Sequence, residues 1–147
     1  MAHSQRYTID ASVFLNAFNP AEAGHAESNR FLLAVKQQAI PIIIPTLLFP
    51  EVAATISRMR GDDNLARSFT STLRRWPYMI VIPLDDMLSH EAVESAIKHH
   101  LRGSDAVYDA VAARFATTLV TLDREQQTRA ASAISTRNPS EALAQLG

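Results

Sequence analysis

The sequence predicts an α/β fold of three layers, α/β/α, around a central parallel sheet of four or five strands. Two observations lead to this class. Short apolar segments rich in β-branched residues alternate with longer segments of helical periodicity, which is typical of a parallel sheet with helices on both faces. In addition, the segment from Ile40 to Ile44 is continuously apolar, as expected of a strand buried on both faces.

The elements follow one another without a repeat, a linker or a low-complexity stretch, so 147 residues indicate one domain, residues 1–147. The predicted strands are Tyr7 to Ile9, Ile40 to Ile44, Tyr78 to Ile82 and Thr118 to Leu122. Four predicted helices have both bounds in the sequence pattern: Ala11 to Phe18, Glu22 to Gln38, Asp62 to Trp76 and Asp85 to Leu101. Two more are predicted from their caps: one is capped by Thr46 and runs to Arg60, and one follows the break at Gly103, is capped by Ser104 and runs to Phe115. A last long helix follows Asp123, and a short one follows Asn138-Pro139.

Composition narrows the class of protein. No apolar run approaches the ~20 residues that cross a bilayer, and the N-terminal MAHSQRYTID lacks a secretory hydrophobic stretch. The absence of cysteine excludes a disulfide framework and a thiolate metal site. It also fits a reducing compartment, so we expect a cytoplasmic protein that does not bind membranes.

The distribution of the basic residues, and not the net charge, is what indicates a nucleic-acid partner. The net charge of −1 by itself indicates no such partner. However, twelve of the 14 basic residues are arginine, whose planar donor fork suits phosphate. Several fall close together: Arg58, Arg60, Arg67, Arg74 and Arg75. A solvated helix face, or a genome that favours arginine codons, would produce the same cluster.

Acidic residues stand where the predicted strands end and helices begin. Asp10 and Asp123 end two strands, Asp105 lies in the first turn of a helix, and Glu51 follows a buried strand by about one turn. Ligands of open parallel sheets bind beyond the carboxyl ends of the strands, so these four carboxylates are expected to meet at one edge. Asp109, four residues after Asp105, shares its helix face.

Each acid also has a structural interpretation. Asp10 and Asp123 could cap the helices that follow them, and Asp105 could interact with the N-terminus of its own helix. Converging carboxylates nevertheless repel each other, and no lysine is positioned to neutralise them. A hard divalent cation such as Mg²⁺ would do so, and it would activate water for attack on a phosphodiester.

Four stretches carry a resemblance to a known family: YTIDASVFLNAF, IPTLLFPEVAATISR, LRGSDAVYDAVAARF and TTLVTLDRE. In this order they resemble the PIN-domain ribonucleases, and among them the VapC-like toxins of prokaryotic toxin–antitoxin pairs. The resemblance implies catalytic, Mg²⁺- or Mn²⁺-binding roles for Asp10, Glu51, Asp105 and Asp123. It implies supporting roles for Ser12 and Thr121, whose hydroxyls would hold carboxylates or water, and an auxiliary role for Asp109.

The resemblance also implies partners. It suggests RNA as the substrate, a small antitoxin and a homodimer. The antitoxin would insert Arg or Lys among the four acids and lie in a groove between the predicted helices Thr46 to Arg60 and Asp62 to Trp76. Leu65, Phe69, Leu73 and Trp76 recur at helical spacing. They could form the dimer surface or pack on the sheet.

Two other functions remain open from sequence. One is a non-catalytic module of the same fold that binds RNA or protein. The other is a phosphatase-like or receiver-like α/β protein, against which the missing lysine and the lack of a second acid beside Asp10 argue.

Overall fold

The centre of the protein is a five-stranded parallel sheet. The computed structural model describes residues 5–130 and 134–147. The strands are β1 (Tyr7–Ile9), β2 (Ile42–Pro45), β3 (Met79–Ile82), β4 (Thr118–Val120) and β5 (Thr136–Arg137). Their order is β3-β2-β1-β4-β5, and every pair is parallel. This confirms the predicted fold class. Strand β5 was not assigned from sequence, because two residues show no periodicity.

Helices cover both faces of this sheet. They are α1 (Ala11–Phe18), α2 (His25–Gln37), α3 (Leu48–Arg60), α4 (Asp63–Arg74), α5 (Asp86–His99), α6 (Gly103–Phe115), α7 (Arg124–Ala130) and α8 (Pro139–Leu146). Because successive strand side chains point to opposite faces, Ile42 and Ile44 enter a large core with α1 to α4 and α8, whereas Ile43 enters a smaller core with α5 and α6. Within the described ranges, no helix is long and apolar enough to span a membrane.

Two predicted helix caps are wrong. Helix α3 begins at Leu48, and the hydroxyl of Thr46 instead accepts a hydrogen bond from the N–H of Leu84 at 3.1 Å. Helix α6 begins before Ser104, because the carbonyl of Arg102 accepts from the N–H of Ala106 at 2.9 Å and closes the first turn there. The local capping preference of Ser and Thr therefore yields to contacts that the sequence pattern does not reveal.

A buried asparagine delays the start of α2, which begins at His25 rather than Glu22. The amide of Asn16 donates to Oε1 of Glu22 at 2.9 Å and to the carbonyl of Ala23 at 2.8 Å. Its oxygen accepts from the hydroxyl of Ser28 at 2.7 Å. These bonds hold the chain between α1 and α2 in a turn.

Candidate functional site

The pairing of β1 with β4 brings two predicted acids to the same edge of the sheet. Ile9 is in register with Val120, and the N–H of Asp10 donates to the carbonyl of Val120 at 2.9 Å. Asp10 follows β1 directly, and Asp123 follows β4 after two intervening residues. Both acids therefore lie at the carboxyl ends of adjacent parallel strands, where ligands of such sheets bind.

Hydroxyl groups join these two strand ends around Asp10, which is 7% exposed. Its carboxylate accepts from the N–H of Ser12 at 3.0 Å and from the hydroxyl of Thr121 at 3.4 Å. The hydroxyl of Ser12 accepts from the N–H of Leu122 at 3.1 Å, and that of Thr121 accepts from the N–H of Asp123 at 3.1 Å. Asp10 thus caps α1 and also reaches the shared edge.

Glu51, in the first turn of α3, is held by a tyrosine of α6. The hydroxyl of the buried Tyr108 donates to Oε1 of Glu51 at 2.6 Å. Burial raises the pKa of Glu51, the hydrogen bond from Tyr108 opposes this shift, and the charges of Asp10 and Asp105 raise the pKa further. Sequence analysis missed Tyr108. Its spacing of three residues from Asp105 on one helix was the available signal.

Asp105 and Asp123 share a cation that the chain itself supplies. Nε of Arg102 donates to Oδ2 of Asp105 at 3.1 Å, and Nη2 of the same guanidinium contacts Oδ2 of Asp123. Oδ1 of Asp123 accepts from the N–H groups of Glu125 at 2.9 Å and Gln126 at 3.1 Å, so Asp123 also caps α7. From the sequence only a lysine was considered as the counter-charge, and Arg102, which directly precedes α6, was not predicted to fill this role.

Burial and neighbouring negative charge disfavour ionisation of Asp10 and Asp105. Burial raises the pKa of Asp10 above the ordinary value of 3.8, and the charge of Asp123 adds to the shift. Burial likewise raises the pKa of Asp105, with contributions from the charges of Asp123 and Asp10, although Arg102 opposes the shift. The carboxylates therefore interact through their charges.

The donor chemistry of the four acids suits a hard cation such as Mg²⁺, which prefers carboxylate oxygens. Even so, among residues 5–130 and 134–147 no three Asp, Glu or His side chains converge closely enough to enclose one ion. Tyr108 holds Glu51, and Arg102 holds Asp105 and Asp123. Closing the acids around one ion requires at least Arg102 to move.

Asp109 lies against α5 instead of among these acids. It is buried, and its Oδ2 accepts a hydrogen bond from the hydroxyl of Ser95. Burial raises the pKa of Asp109, and His99 of α5 opposes the shift. Its Oδ1 has no hydrogen-bond partner among the described residues. The auxiliary role expected for Asp109 therefore has no supporting contact to the four acids.

The arginine cluster lies on α3 and α4, and two of its members stack on aromatic rings. The guanidinium of Arg74 lies 4.0 Å from the ring centre of Phe49, and that of Arg60 lies 5.6 Å from the ring centre of Phe18. Because Phe49 precedes Glu51 by two residues in the first turn of α3, Arg74 places a positive charge near the start of this helix.

Comparison with known proteins identifies the fold. VapC20 from Mycobacterium tuberculosis, a sarcin–ricin-loop-cleaving toxin, is 19% identical, with a TM-score of 0.72 over 90% of this chain and 99% of that chain. PAE2754 from Pyrobaculum aerophilum is 20% identical, with a TM-score of 0.69 over 99% and 98%. VapBC2 from Rickettsia felis, bound to a promoter DNA fragment, is 15% identical, with a TM-score of 0.67 over 91% and 98%.

The family itself is shown by sequence. A search of curated proteins finds no significant match. The family model described as PIN domain, however, matches residues 7–132, a span that contains Asp10, Glu51, Asp105 and Asp123. The resemblance drawn from the four sequence stretches is confirmed, and this chain belongs to the PIN domain family.

Proposed function

We propose that this chain is a metal-dependent endoribonuclease, a hydrolase of RNA phosphodiester bonds, and the toxin of a type II toxin–antitoxin pair in the cytoplasm. The observation that carries the proposal is the approach of acids from four segments to the carboxyl ends of β1 and β4. Arg102 bridges Asp105 and Asp123, Thr121 links Asp10 to the segment that carries Asp123, and Tyr108 on the helix of Asp105 donates to Glu51. Carboxylates held close together in a partly buried site oppose folding when they are ionised, so their presence there favours a use for them. VapC20, which shares the fold, is described as cleaving the sarcin–ricin loop.

The cofactor would be Mg²⁺ or Mn²⁺. The groups that would hold it are the clustered carboxylates: Asp10, Asp105, Asp123 and Glu51. When bound, such an ion makes hydroxide available at neutral pH and stabilises the leaving oxygen of a phosphodiester. Ser12 and Thr121 would orient the carboxylate of Asp10, and Tyr108 would orient Glu51, through the hydrogen bonds described above.

A non-catalytic PIN-like module that binds RNA or protein is the second candidate. One observation favours it: Arg102 already neutralises part of the charge of Asp105 and Asp123, so the acidic edge is partly self-paired. The two candidates differ in whether removing a carboxylate changes hydrolysis.

Replacing Asp10 or Asp105 by Asn is expected to lower RNA cleavage at least ~10²-fold, because the side chain keeps its shape but loses its charge as a ligand. Chelation of divalent ions should abolish cleavage by the wild type. The matched control is Asp62→Asn, since Asp62 caps α4 by accepting from the N–H of Leu65 and Asn preserves a cap. Undiminished cleavage by both purified site variants would favour the binding module.

The free energy of unfolding should depend on pH because burial and neighbouring negative charge oppose ionisation of these carboxylates in the folded state. The folded-state pKa values of Asp10, Asp105 and Glu51 are raised above 3.8, 3.8 and 4.5. The stability they contribute is therefore fully present below these ordinary values and is lost as pH rises through the raised values. In chelator, Asp10→Asn should gain stability relative to wild type as pH rises from about 4 to about 7. Urea unfolding measures this difference. A difference that is constant with pH, as expected for Asp62→Asn, would contradict it.

A small antitoxin is the proposed partner, and a groove between α1, α2 and α4 could receive it. The cavity of about 220 Å³ is lined largely by apolar side chains, among them Phe14, Phe18, Leu32, Phe69 and Trp76.

A groove of about 540 Å³ is also present between α3 and α4, where one was expected from sequence. We favour the groove between α1, α2 and α4 because large apolar side chains line it. The proposal is supported by a Klebsiella pneumoniae toxin–antitoxin complex that shares the fold at 17% identity, with a TM-score of 0.63. An antitoxin Arg or Lys that enters the acidic edge would compete with Arg102, which already contacts Asp105 and Asp123.

Expression of the chain alone should arrest the growth of a bacterial host, because free toxin would cut RNA. Co-expression with the gene adjacent to this one, as the candidate antitoxin gene, should relieve the arrest. The substitution Asp105→Asn should abolish it. The measurement is growth after induction, with protein levels checked by immunoblot. Normal growth with abundant, folded and nucleolytically active protein would reject the toxin assignment and leave the nuclease assignment intact.

A homodimer is proposed through a surface other than the helical stripe considered from sequence. Leu73 of that stripe is buried, and Leu65, Phe69 and Trp76 pack against the large core. In contrast, β3 is the outer strand of the sheet, with no strand on its far side in the described part of the chain. Apolar side chains are exposed on β3 and α5: Ile80, Val81, Met87, Val93 and Ile97. An open apolar edge favours pairing with a second copy.

Ile97→Glu should convert the dimer to a monomer, because it places a charge in the apolar surface of β3 and α5. Met59→Glu is the control, since Met59 is similarly exposed on α3, at 61% against 66% for Ile97. Multi-angle light scattering at tens of micromolar should give the dimer mass for wild type and Met59→Glu. A monomer mass for the wild type would contradict the dimer.

A further inference from the structure

Arg102 occupies a position that local rules disfavour. It is the N-cap residue of α6 and its side chain makes no capping hydrogen bond, whereas this position usually carries Ser, Thr, Asp or Asn. Its cationic group also lies at the positive end of the helix dipole. A residue that breaks two local preferences at the edge of a site calls for an explanation in its tertiary contacts.

Those contacts are two of the four acids. The guanidinium bridges Oδ2 of Asp105 and Oδ2 of Asp123, and these two carboxylates come from segments 18 residues apart in the chain. We propose that Arg102 is an internal counter-ion that occupies the cation position of the metal-free protein, leaves it when a divalent ion binds, and then binds a phosphate of the RNA. This inference rests on the proposed function.

The bridge is suited to exchange. The side chain of Arg102 is 65% exposed, and ion pairs of exposed side chains contribute little to stability because water competes for both partners. A divalent ion carries twice the charge and prefers the same carboxylate oxygens. Two cations cannot both be in contact with Oδ2 of Asp105 and Oδ2 of Asp123 without strong mutual repulsion.

Release of Arg102 from the carboxylates would couple binding of the metal ion to binding of the RNA. In the metal-free protein the acidic edge repels phosphate, and the nearest guanidinium is engaged with carboxylates. After exchange the edge is neutralised, and an exposed arginine with a bidentate donor fork stands beside it. The coupling is reciprocal, so bound RNA would raise the affinity for the ion.

A purely structural bridge predicts something different. If Arg102 only connected α6 to the segment after β4, its removal would make Asp105 and Asp123 less well positioned. The affinities for the metal ion and for RNA would then both decrease. The counter-ion role predicts opposite signs: Arg102→Gln should bind the metal more tightly and RNA more weakly. Opposite signs also exclude partial unfolding as the cause.

The first experiment measures the affinity for Mn²⁺ by titrating the full chain with the ion and following electron paramagnetic resonance. Arg102→Gln should bind Mn²⁺ about two- to tenfold more tightly than wild type, as expected for loss of an exposed competing bridge. The control is Arg114→Gln, which removes the same charge from a pair with Glu91 in the last turn of α6 and should leave the affinity unchanged.

The second experiment measures the affinity for a short single-stranded RNA by fluorescence anisotropy at several salt concentrations. Ca²⁺ replaces Mn²⁺ as an oxygen-ligated ion, with intact RNA verified on a gel. With Ca²⁺, the salt dependence of Arg102→Gln should be shallower than that of wild type by about 0.7 in log–log slope, one phosphate contact. In chelator the two slopes should agree, and Arg114→Gln should match wild type in both conditions.

The outcomes separate this inference from the proposed function. Equal or weaker Mn²⁺ binding by Arg102→Gln, or an unchanged slope with Ca²⁺, overturns the counter-ion role even if the wild type cleaves RNA. Absence of Mn²⁺ binding by all three proteins overturns the metal-dependent function and the inference together.

Discussion

Burial of carboxylates beside one another at the carboxyl edge of β1 and β4 is the constraint on which the surrounding structure depends. Burial and neighbouring negative charge raise the pKa of Asp10, Glu51 and Asp105, so each acid needs a partner to remain in place when ionised. The partners differ in kind. One backbone N–H group and a hydroxyl serve Asp10, a phenol serves Glu51, and a guanidinium serves Asp105.

The fold supplies much of this compensation through helix N-termini. Asp10 caps α1 and Asp123 caps α7, while Glu51 and Asp105 lie in the first turns of α3 and α6. Four positive helix ends therefore face the edge where the acids lie, which favours negative charge there. The structural and the catalytic interpretation of each acid are compatible for this reason. A cap needs one carboxylate oxygen, and the other stays available to a cation.

Arg102 shows how the chain itself supplies part of the positive charge at the acidic edge. A guanidinium from the residue before α6 contacts Asp105 and Asp123, which lowers the repulsion while leaving the side chain exposed to solvent. The acidic edge is therefore partly neutralised from within. If the site binds a divalent ion as proposed, the same carboxylate oxygens serve Arg102 and the ion, so the two cations compete for them.

Sequence alone determined the fold class, four of the strands and the positions of Asp10, Glu51, Asp105 and Asp123 at element ends, since β-branched runs, helical periodicity and the four family stretches are local in the chain. Other features were settled by tertiary contacts. Tyr108 reaches Glu51 across 57 residues, Arg102 reaches Asp123 across 21, and the two-residue β5 exists only because β4 pairs with it. The direction of Asp109 towards Ser95 depends on how α5 packs on α6. Such pairings follow from the three-dimensional approach of distant segments, which periodicity and capping patterns do not encode.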